Sequence, residues 1–298
     1  MKVAVTGATG FIGHYIVRHL IEQGHSCRCW YRPESVRRTL DDVSDGIEWI
    51  EGDLANTESA AALVQGCNAV VHAALWRPGE GFQGAEGDIV AFADRNIVGS
   101  LRLIAQAHEA DVPRFVFIST CAVHEIILED RKLDEAHPMW PRSHYGAYKA
   151  AVEEFVYSYG YRYDFDICAL RPTGVYGLHH APANSKWYDL VKSVAEGKTD
   201  RVTPQGGKEV HAADVAKAVS ILLKADGVAG QAYNCYDRYI SQEEVAGITA
   251  KLSGQDVTIA RTNTGPKHQI DTSKIRKLGM KFGGEVLLKT TVGELLNS

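Results

Sequence analysis

Tyr145 and Lys149 stand four residues apart in the run Tyr145-Gly146-Ala147-Tyr148-Lys149. On a helix that spacing puts both side chains on one face, where a phenol and an ammonium can converge on a single ligand. A phenol titrates at about 10 and is a poor base at neutral pH. A cation about 4 Å away, at an effective dielectric of about 20, would favour the phenolate by about 4 kcal/mol, or roughly three pKa units. That would bring Tyr145 towards the range in which an acid–base catalyst works. Tyr148 is a rival phenol, but one residue from Lys149 it projects from a different face. Because many helices carry such a pair by chance, its meaning depends on what lies around it.

A second constellation opens the chain. Thr6-Gly7-Ala8-Thr9-Gly10-Phe11-Ile12-Gly13 lies directly between an apolar run and a helical stretch that reaches about Gln23. Glycine in such a turn permits positive φ and lets backbone approach a pyrophosphate with no Cβ in the way. The helix that follows offers unpaired N–H groups and a partial positive charge. The spacing is Gly-x-x-Gly-x-x-Gly, so the alternative of a tight turn without a ligand is settled only by the elements around it.

Those elements read as an α/β fold, a doubly wound parallel sheet with a smaller C-terminal lobe. Short apolar runs alternate with helical stretches in the first half. Strands are expected at Lys2–Thr6, Ser26–Tyr31, Ile47–Glu51, Ala69–His72, at 114–119 and at 166–171. The run Phe115-Val116-Phe117-Ile118 lacks polar alternation, as burial on both faces requires. Apolar residues at helical spacing, such as Ile97, Leu101 and Ile104, or Val152, Phe155, Val156 and Tyr159, fill the crossovers. After Arg171-Pro172 the texture becomes loop-rich, with helices expected near 188–196 and 213–224 and a strand at Gln231–Cys235. Ser241 with Glu244 three residues on makes a capping box for a helix reaching Ser253. The division is therefore 1–172 as the dinucleotide-binding domain, with 207–235 returning to it, and 173–206 with 236–298 as a substrate-binding lobe.

Composition narrows the classes. The 298 residues are 45% hydrophobic and 23% charged, with a net charge of −5, ordinary for a globular protein and unlike a nucleic-acid-binding surface. Six scattered cysteines without a Cys-x-x-Cys pair point to a reducing compartment. No secretory leader is read at the N-terminus, and no apolar run approaches the roughly 18 residues of a membrane span. A cytoplasmic protein with no membrane and no nucleic-acid partner is expected.

The loop Thr6-Gly7-Ala8-Thr9-Gly10-Phe11-Ile12-Gly13 resembles that of the extended short-chain dehydrogenase/reductase superfamily, in its NAD(P)-dependent epimerase/dehydratase branch. The resemblance continues through Gly52-Asp53-Leu54, His72-Ala73-Ala74, Asn96, Leu170-Arg171-Pro172-Thr173-Gly174-Val175-Tyr176-Gly177 and His211-Ala212-Ala213-Asp214-Val215-Ala216. It implies that Gly7, Gly10, Phe11, Ile12 and Gly13 line the cofactor pyrophosphate, that Asp53 with Leu54 meets the adenine, and that Ala73 skirts a ribose. It implies further that Tyr145 exchanges a proton with the reacting oxygen, that Thr120, or alternatively Ser119, steadies that oxygen, and that Lys149 holds the nicotinamide ribose. A homodimer through helices around 97–109 and 145–159 is the assembly it implies. The end of the second strand reads Trp30-Tyr31-Arg32-Pro33, with no carboxylate for a ribose 2′-hydroxyl. Arg32 suits a 2′-phosphate, or else is a solvated turn residue, so NADP is expected ahead of NAD.

The substrate expected from the resemblance is a sugar or nucleotide sugar; the alternative is an aldehyde or ketone reduced with NADPH, and a third reading is a non-catalytic NADP sensor. Departures bear on the choice. Cys121-Ala122 stand where dehydratases carry Asp-Glu, His124-Glu125 replace Tyr-Gly, and Gly206-Gly207-Lys208 occupy the place of the Arg that meets a diphosphate. Adjacent His179 and His180 lack ligand-spaced neighbours and no metal is expected. Cys121 is read as a small buried thiol, and Trp187 with Tyr188 either lines a pocket or packs the lobe.

Overall fold

Short runs rich in Val, Ile, Phe and Cys form the strands of the first region, unalternated in the middle of the sheet and alternating towards its edge, with helices in the crossovers between them. The structure, a computed structural model, describes residues 1–79, 84, 86–259 and 265–298. β1 (Lys2–Thr6) leads into α1 (Phe11–Glu22), then β2 (Ser26–Tyr31), β3 (Ile47–Glu51), α2 (Thr57–Val64) and β4 (Ala69–His72). α3 (Ile89–Ala93) passes through a wider-wound turn at Asp94–Val98 into α4 (Gly99–Glu109), followed by β5 (Arg114–Ile118), α5 (His144–Tyr163) and β6 (Asp166–Pro172). Beyond Pro172 come β7 (Gly174–Tyr176), α6 (Tyr188–Ala195), β8 (Gly206–His211), α7 (Ala212–Leu222) and β9 (Gln231–Cys235). The chain ends with β10 (Arg238–Ser241), α8 (Gln242–Ser253), α9 (Ser273–Lys277) and α10 (Gly284–Asn297).

Seven strands form one sheet in the order β3-β2-β1-β4-β5-β6-β9, and every pairing in it is parallel. This is the 3-2-1-4-5-6 order of a doubly wound dinucleotide-binding sheet with one strand added, and its direction of winding reverses between β1 and β4. Val3, Ala4, Val5, Val70, Val71, Phe115, Val116 and Phe117 are fully buried, as strands covered on both faces must be. α1 buries Gly13, Ile16, Val17 and Leu20, a helical stripe, and stops before Gly24, whose φ of +77° suits a residue without Cβ.

The chain divides into two compact units, 1–172 with 215–235 and 270–280, and 173–214 with 236–269 and 281–298. Two segments differ from expectation. The part returning to the first unit begins at 215 rather than 207, because β8 pairs with β7 and with β10 in a separate three-stranded sheet. Residues 270–280 join the first unit through Ile275, which is fully buried, and a bond from Asn234 Nδ2 to the Asp271 carbonyl at 3.1 Å. The second unit has its own core, where Tyr176, Val191, Val194, Ile240, Val245, Leu288, Val292 and Leu295 meet. Half of the capping box forms there: Ser241 Oγ accepts from the Glu244 amide at 3.1 Å, while Glu244 Oε1 turns to Arg238 Nη2 at 2.7 Å. Among the described residues no helix is long and apolar enough to cross a membrane.

Candidate active site

The glycine loop is built by close approach. Gly7 has φ +72°, and a Cβ there would lie 2.7 Å from the Ala73 carbonyl carbon and 2.8 Å from the Ala74 nitrogen, so the turns after β1 and β4 touch through bare backbone. A Cβ on Gly13 would fall 2.0 Å from the Gly7 oxygen. Gly10 caps α1 in an extended conformation without a side-chain bond, and the first turn carries no acidic residue. The amides of residues 11–13 precede the first intrahelical bond, from the His14 amide to the Gly10 oxygen at 2.9 Å. A dinucleotide pyrophosphate fits this turn: the amides of residues 11–13 lie ahead of the first intrahelical bond, and the helix end favours negative charge.

Behind the loop, His72 proves to be a structural residue. Thr6 Oγ1 accepts from the Ala73 and Ala74 amides and donates to His72 Nδ1 at 2.7 Å. His72 Nε2 donates to Ser100 Oγ at 2.8 Å, and Ser100 Oγ donates to the Asn96 carbonyl. The Asn96 amide in turn bonds both N–H and C=O of Trp76 at 2.8 Å. Burial, with the Lys149 charge second, drops the His72 pKa to about 3, so the imidazole stays neutral and this relay fixes residues 73–76.

The other expected cofactor residues are each engaged locally. Arg32, about half exposed, pairs with Glu34 at 3.1 Å, and its amide bonds Ser35 Oγ. The Arg37 guanidinium lies 4.1 Å from the Tyr31 ring centroid, stacked on the end of β2. Asp53 Oδ1 accepts from the Ala55 amide at 2.8 Å while Oδ2 lies 3.6 Å from Arg95. Leu54 is buried, its carbonyl and Cβ packed onto Gly99 at the start of α4.

At the carboxyl end of β5 the chain meets α5. Ser143 caps this helix by accepting from the Gly146 amide, which fixes where its first turn begins and aims Tyr145 at Thr120. The Tyr145 phenol is hydrogen-bonded to Thr120. Lys149, buried, donates from Nζ to the Ile118 carbonyl at 2.6 Å and lies 4.6 Å from the Phe117 ring centroid. Tyr148 leaves the helix on another face, packs edge-on against Phe92, and its hydroxyl has no partner among the described residues.

The electrostatics differ from the simple Coulomb expectation. Tyr145 is pushed up to about 12 by burial, and the groups opposing that rise are the Thr120 hydrogen bond and then Arg77, not Lys149. Lys149 is itself lowered to about 7 by burial, with Glu153 pulling the other way. The reason is geometric: the ammonium is turned onto the Ile118 carbonyl, 6.0 Å from the Tyr145 ring centroid. A cation that is partly neutralised and aimed elsewhere cannot pull the phenol down as far as the spacing alone suggests.

Residues that sequence reasoning did not single out complete the site. Glu153, one turn beyond Lys149, and Arg171 are both fully buried and paired at 2.6 Å. Ser119 Oγ donates to Glu153 Oε1, which turns Ser119 away from the position that Thr120 takes against Tyr145. Arg171 also reaches Tyr157 Oη at 2.7 Å and His124 Nε2 at 2.9 Å. The sequence signal was faint: Glu153 and Tyr157 continue the four-residue spacing of Tyr145 and Lys149. Cys121 is only part-buried as a residue, unlike the other five cysteines; its thiol is raised to about 12 by burial, and Sγ donates to the Arg171 carbonyl at 3.0 Å.

In the second unit, Trp187 packs against Tyr176 with ring centroids 5.2 Å apart. A shallow cavity of about 280 Å³ is lined by Ser185, Trp187, Tyr188, Arg201 and Gln242 among others. Gly206-Gly207-Lys208 occupy the start of β8 in place of a diphosphate-binding Arg, and a Cβ on Gly207 would sit 2.1 Å from Glu209 Oε1. Glu209 is buried and pairs with Lys186 at 2.5 Å, while its Oε2 has no partner among the described residues. The His179 and His180 rings stack 3.9 Å apart, and among the described residues no group of three or more His, Cys, Asp or Glu could hold a metal.

A doubly wound parallel sheet with a glycine turn between β1 and α1, beside a Tyr-Lys helix, defines a nicotinamide-dependent enzyme of the short-chain dehydrogenase/reductase superfamily. Residues 3–235 match the NAD dependent epimerase/dehydratase family, and the chain belongs to that family. The dTDP-D-glucose 4,6-dehydratase of Mus musculus is 30% identical over 304 residues, covering 94% of this chain and 84% of that protein. Vestitone reductase of Medicago sativa is 27% identical, covering 82% and 79%. The UDP-glucose 4-epimerase of Thermus thermophilus, solved in complex with NAD, superposes with a TM-score of 0.78 at 25% identity over 99% of both chains.

Proposed function

We propose that this enzyme interconverts a hydroxyl and a carbonyl on a sugar or nucleotide sugar, with Tyr145 as acid–base, Thr120 as the hydrogen-bonding partner of the reacting oxygen, and Lys149 as the residue that holds the nicotinamide ribose. The observation that carries this reading is the Thr120–Tyr145 hydrogen bond, with Lys149 one helical turn away. When bound, the nicotinamide supplies the hydride acceptor or donor. Gly7, Gly10, Phe11, Ile12, Gly13 and Ala73 would hold the pyrophosphate and adjoining ribose, and Asp53 with Leu54 the adenine. Tyr145 is protonated at neutral pH, so it starts as the acid, able to deliver its proton to a carbonyl oxygen. The reverse reaction returns that proton to the phenolate, which the Thr120 hydroxyl stabilises by donating to it. Cys121 and Ala122, which replace Asp-Glu, leave no carboxyl group there to eliminate water, so epimerase or redox chemistry is favoured over dehydration.

A second reading, an NADPH-dependent carbonyl reductase, draws on Arg32, on Gly206-Gly207-Lys208 in place of a diphosphate-binding Arg, and on the likeness to a reductase. The two differ in hydride accounting: an epimerase shows no net conversion of cofactor, whereas a reductase consumes NADPH in step with product. A panel of UDP-glucose, dTDP-glucose, free sugars and aldehydes, followed by absorbance of the reduced cofactor and by product stereochemistry, decides between them. Tyr145→Phe should lower turnover by about 10²–10⁴-fold while NADPH binding persists; retained turnover overturns the assignment of roles.

For the cofactor, the reading is NADP ahead of NAD, because β2 ends in Tyr31-Arg32 with no acid. Arg32 would exchange its Glu34 partner for the 2′-phosphate. Arg32→Ala should weaken NADPH by about 10–100-fold and leave NADH unchanged; fluorescence titration showing tighter NADH binding to the unaltered enzyme refutes this. None of the six cysteines is in a disulfide, which supports a reducing, cytoplasmic setting. Exposed Val98 and Phe155, on the helices named for the dimer, support a homodimer, which light scattering behind a sizing column would test.

A further inference from the structure

Three successive residues at the end of β5 are each held by the same face of α5. The Ile118 carbonyl accepts from Lys149, the Ser119 hydroxyl donates to Glu153, and Thr120 bonds Tyr145. Residues 145, 149 and 153 form one stripe at four-residue spacing. Side chains of consecutive extended residues leave opposite sides of the backbone, so Ser119 reaches the later turn of the helix while Thr120 reaches the first. A rotation of this backbone that frees Ser119 must also move Thr120.

Glu153 is the fixed end of this grip. Arg171 holds its carboxylate with three contacts, Nε to Oε1 at 3.1 Å, Nε to Oε2 at 2.9 Å and Nη2 to Oε2 at 2.6 Å, and Tyr157 Oη adds a fourth at 3.2 Å. Arg171 is anchored in turn by His124 Nε2 and by the Glu135 carbonyl at 3.3 Å. His124 donates from Nδ1 to the Pro138 carbonyl at 3.1 Å, which leaves Nε2 as an acceptor for Arg171, and burial lowers its pKa to about 3. A fully buried ion pair is a poor route to stability, because desolvation offsets most of its attraction. Its placement directly behind the Thr120–Tyr145 contact gives it a different use.

We propose that Glu153 is a positioning residue: clamped by Arg171, it draws Ser119 onto α5 and so sets the contact between Thr120 and Tyr145. The inference rests on the roles proposed for Tyr145 and Thr120. Its first readout therefore needs no turnover. In protein carrying ¹³C-labelled tyrosine, the Tyr145 ring signal is assigned by its loss in Tyr145→Phe. Ser119→Ala keeps the Glu153–Arg171 pair and removes only the link to the strand. It should move the Tyr145 signal and, with the compound from the panel that the unaltered enzyme turns over, lower kcat by about 10-fold, as expected when a catalytic group is misplaced by a fraction of an ångström. KM, NADPH affinity and the unfolding midpoint should stay within about twofold or a few degrees, and Ser119→Thr should restore both signal and kcat. Glu153→Gln, if it folds, should move the same signal. An unmoved Tyr145 signal in Ser119→Ala, or a loss of rate that merely tracks lost stability, overturns the proposal. If no compound on the panel is turned over, the functional reading fails while the tyrosine signal still decides this one.

Discussion

Each compact unit buries one glutamate against a cation, and the two pairs are built differently. Glu153 in the first unit has both oxygens occupied, by Arg171, Ser119 and Tyr157, and both members of the pair are fully buried. Glu209 in the second unit has one oxygen on Lys186, whose side chain is 38% exposed, and the other without a partner among the described residues. Burial pushes the Glu209 carboxyl up, and Lys186 only partly offsets this. The first arrangement locks one geometry; the second tolerates motion of its lysine. In this protein, charge buried with every lone pair satisfied lies beside the residues read as catalytic, and charge buried with a vacancy lies in the unit read as setting specificity.

The largest test removes one partner from each pair. Arg171→Met alone should lower the unfolding free energy by about 3–5 kcal/mol, because Glu153 is left charged and dry, and adding Glu153→Leu should recover most of it. Glu209→Gln should change stability by only about 1 kcal/mol or less, since a half-exposed partner contributes little. Urea midpoints measure both, and equal costs would erase the distinction.

The next effect is a pH slope that belongs to the first unit. Lys149 falls from 10.5 to about 7 on folding. Between those values the unfolded chain holds a proton that the folded chain lacks, so unfolding free energy should climb with pH across that window and be lost again as pH falls through about 7. The full swing is on the order of 5 kcal/mol for a buried group. Lys149→Met should flatten the rise between pH 7 and 9, and an unaltered slope in that variant would show the burial of Lys149 to be without consequence.

The smallest effect compares two glycines that lack room for a Cβ. At Gly13 the obstacle is the Gly7 carbonyl, which is backbone; at Gly207 it is the tip of the Glu209 side chain. Gly13→Ala should destabilise by about 1–3 kcal/mol and weaken NADPH binding, whereas the Glu209 carboxylate can swing aside and Gly207→Ala should cost less. A thermal scan of each, with cofactor titration of the first, ranks them.

Much of this protein was legible in local pattern. Short apolar runs located six parallel strands to within a residue, β9 matched outright, and the glycine turn marked where β1 gives way to α1. The boundary at β8 was misplaced because a strand's sequence tells which faces are buried, not which neighbour it pairs with; only the register with Gly174–Tyr176 reveals it.

What the sequence by itself determined is the set of elements, the glycine turn and the Tyr145–Lys149 spacing, since each depends on residues within a few positions of one another. Tertiary structure alone decided that His72 is neutral and structural, that Lys149 points at Ile118, and that Glu153, which a helix pattern would leave in water, is the anchor of the site. Those outcomes turn on partners 18 to 66 residues away in the chain. The charge state of a buried group depends on which neighbours reach it, and that is settled only when the strands and helices pack.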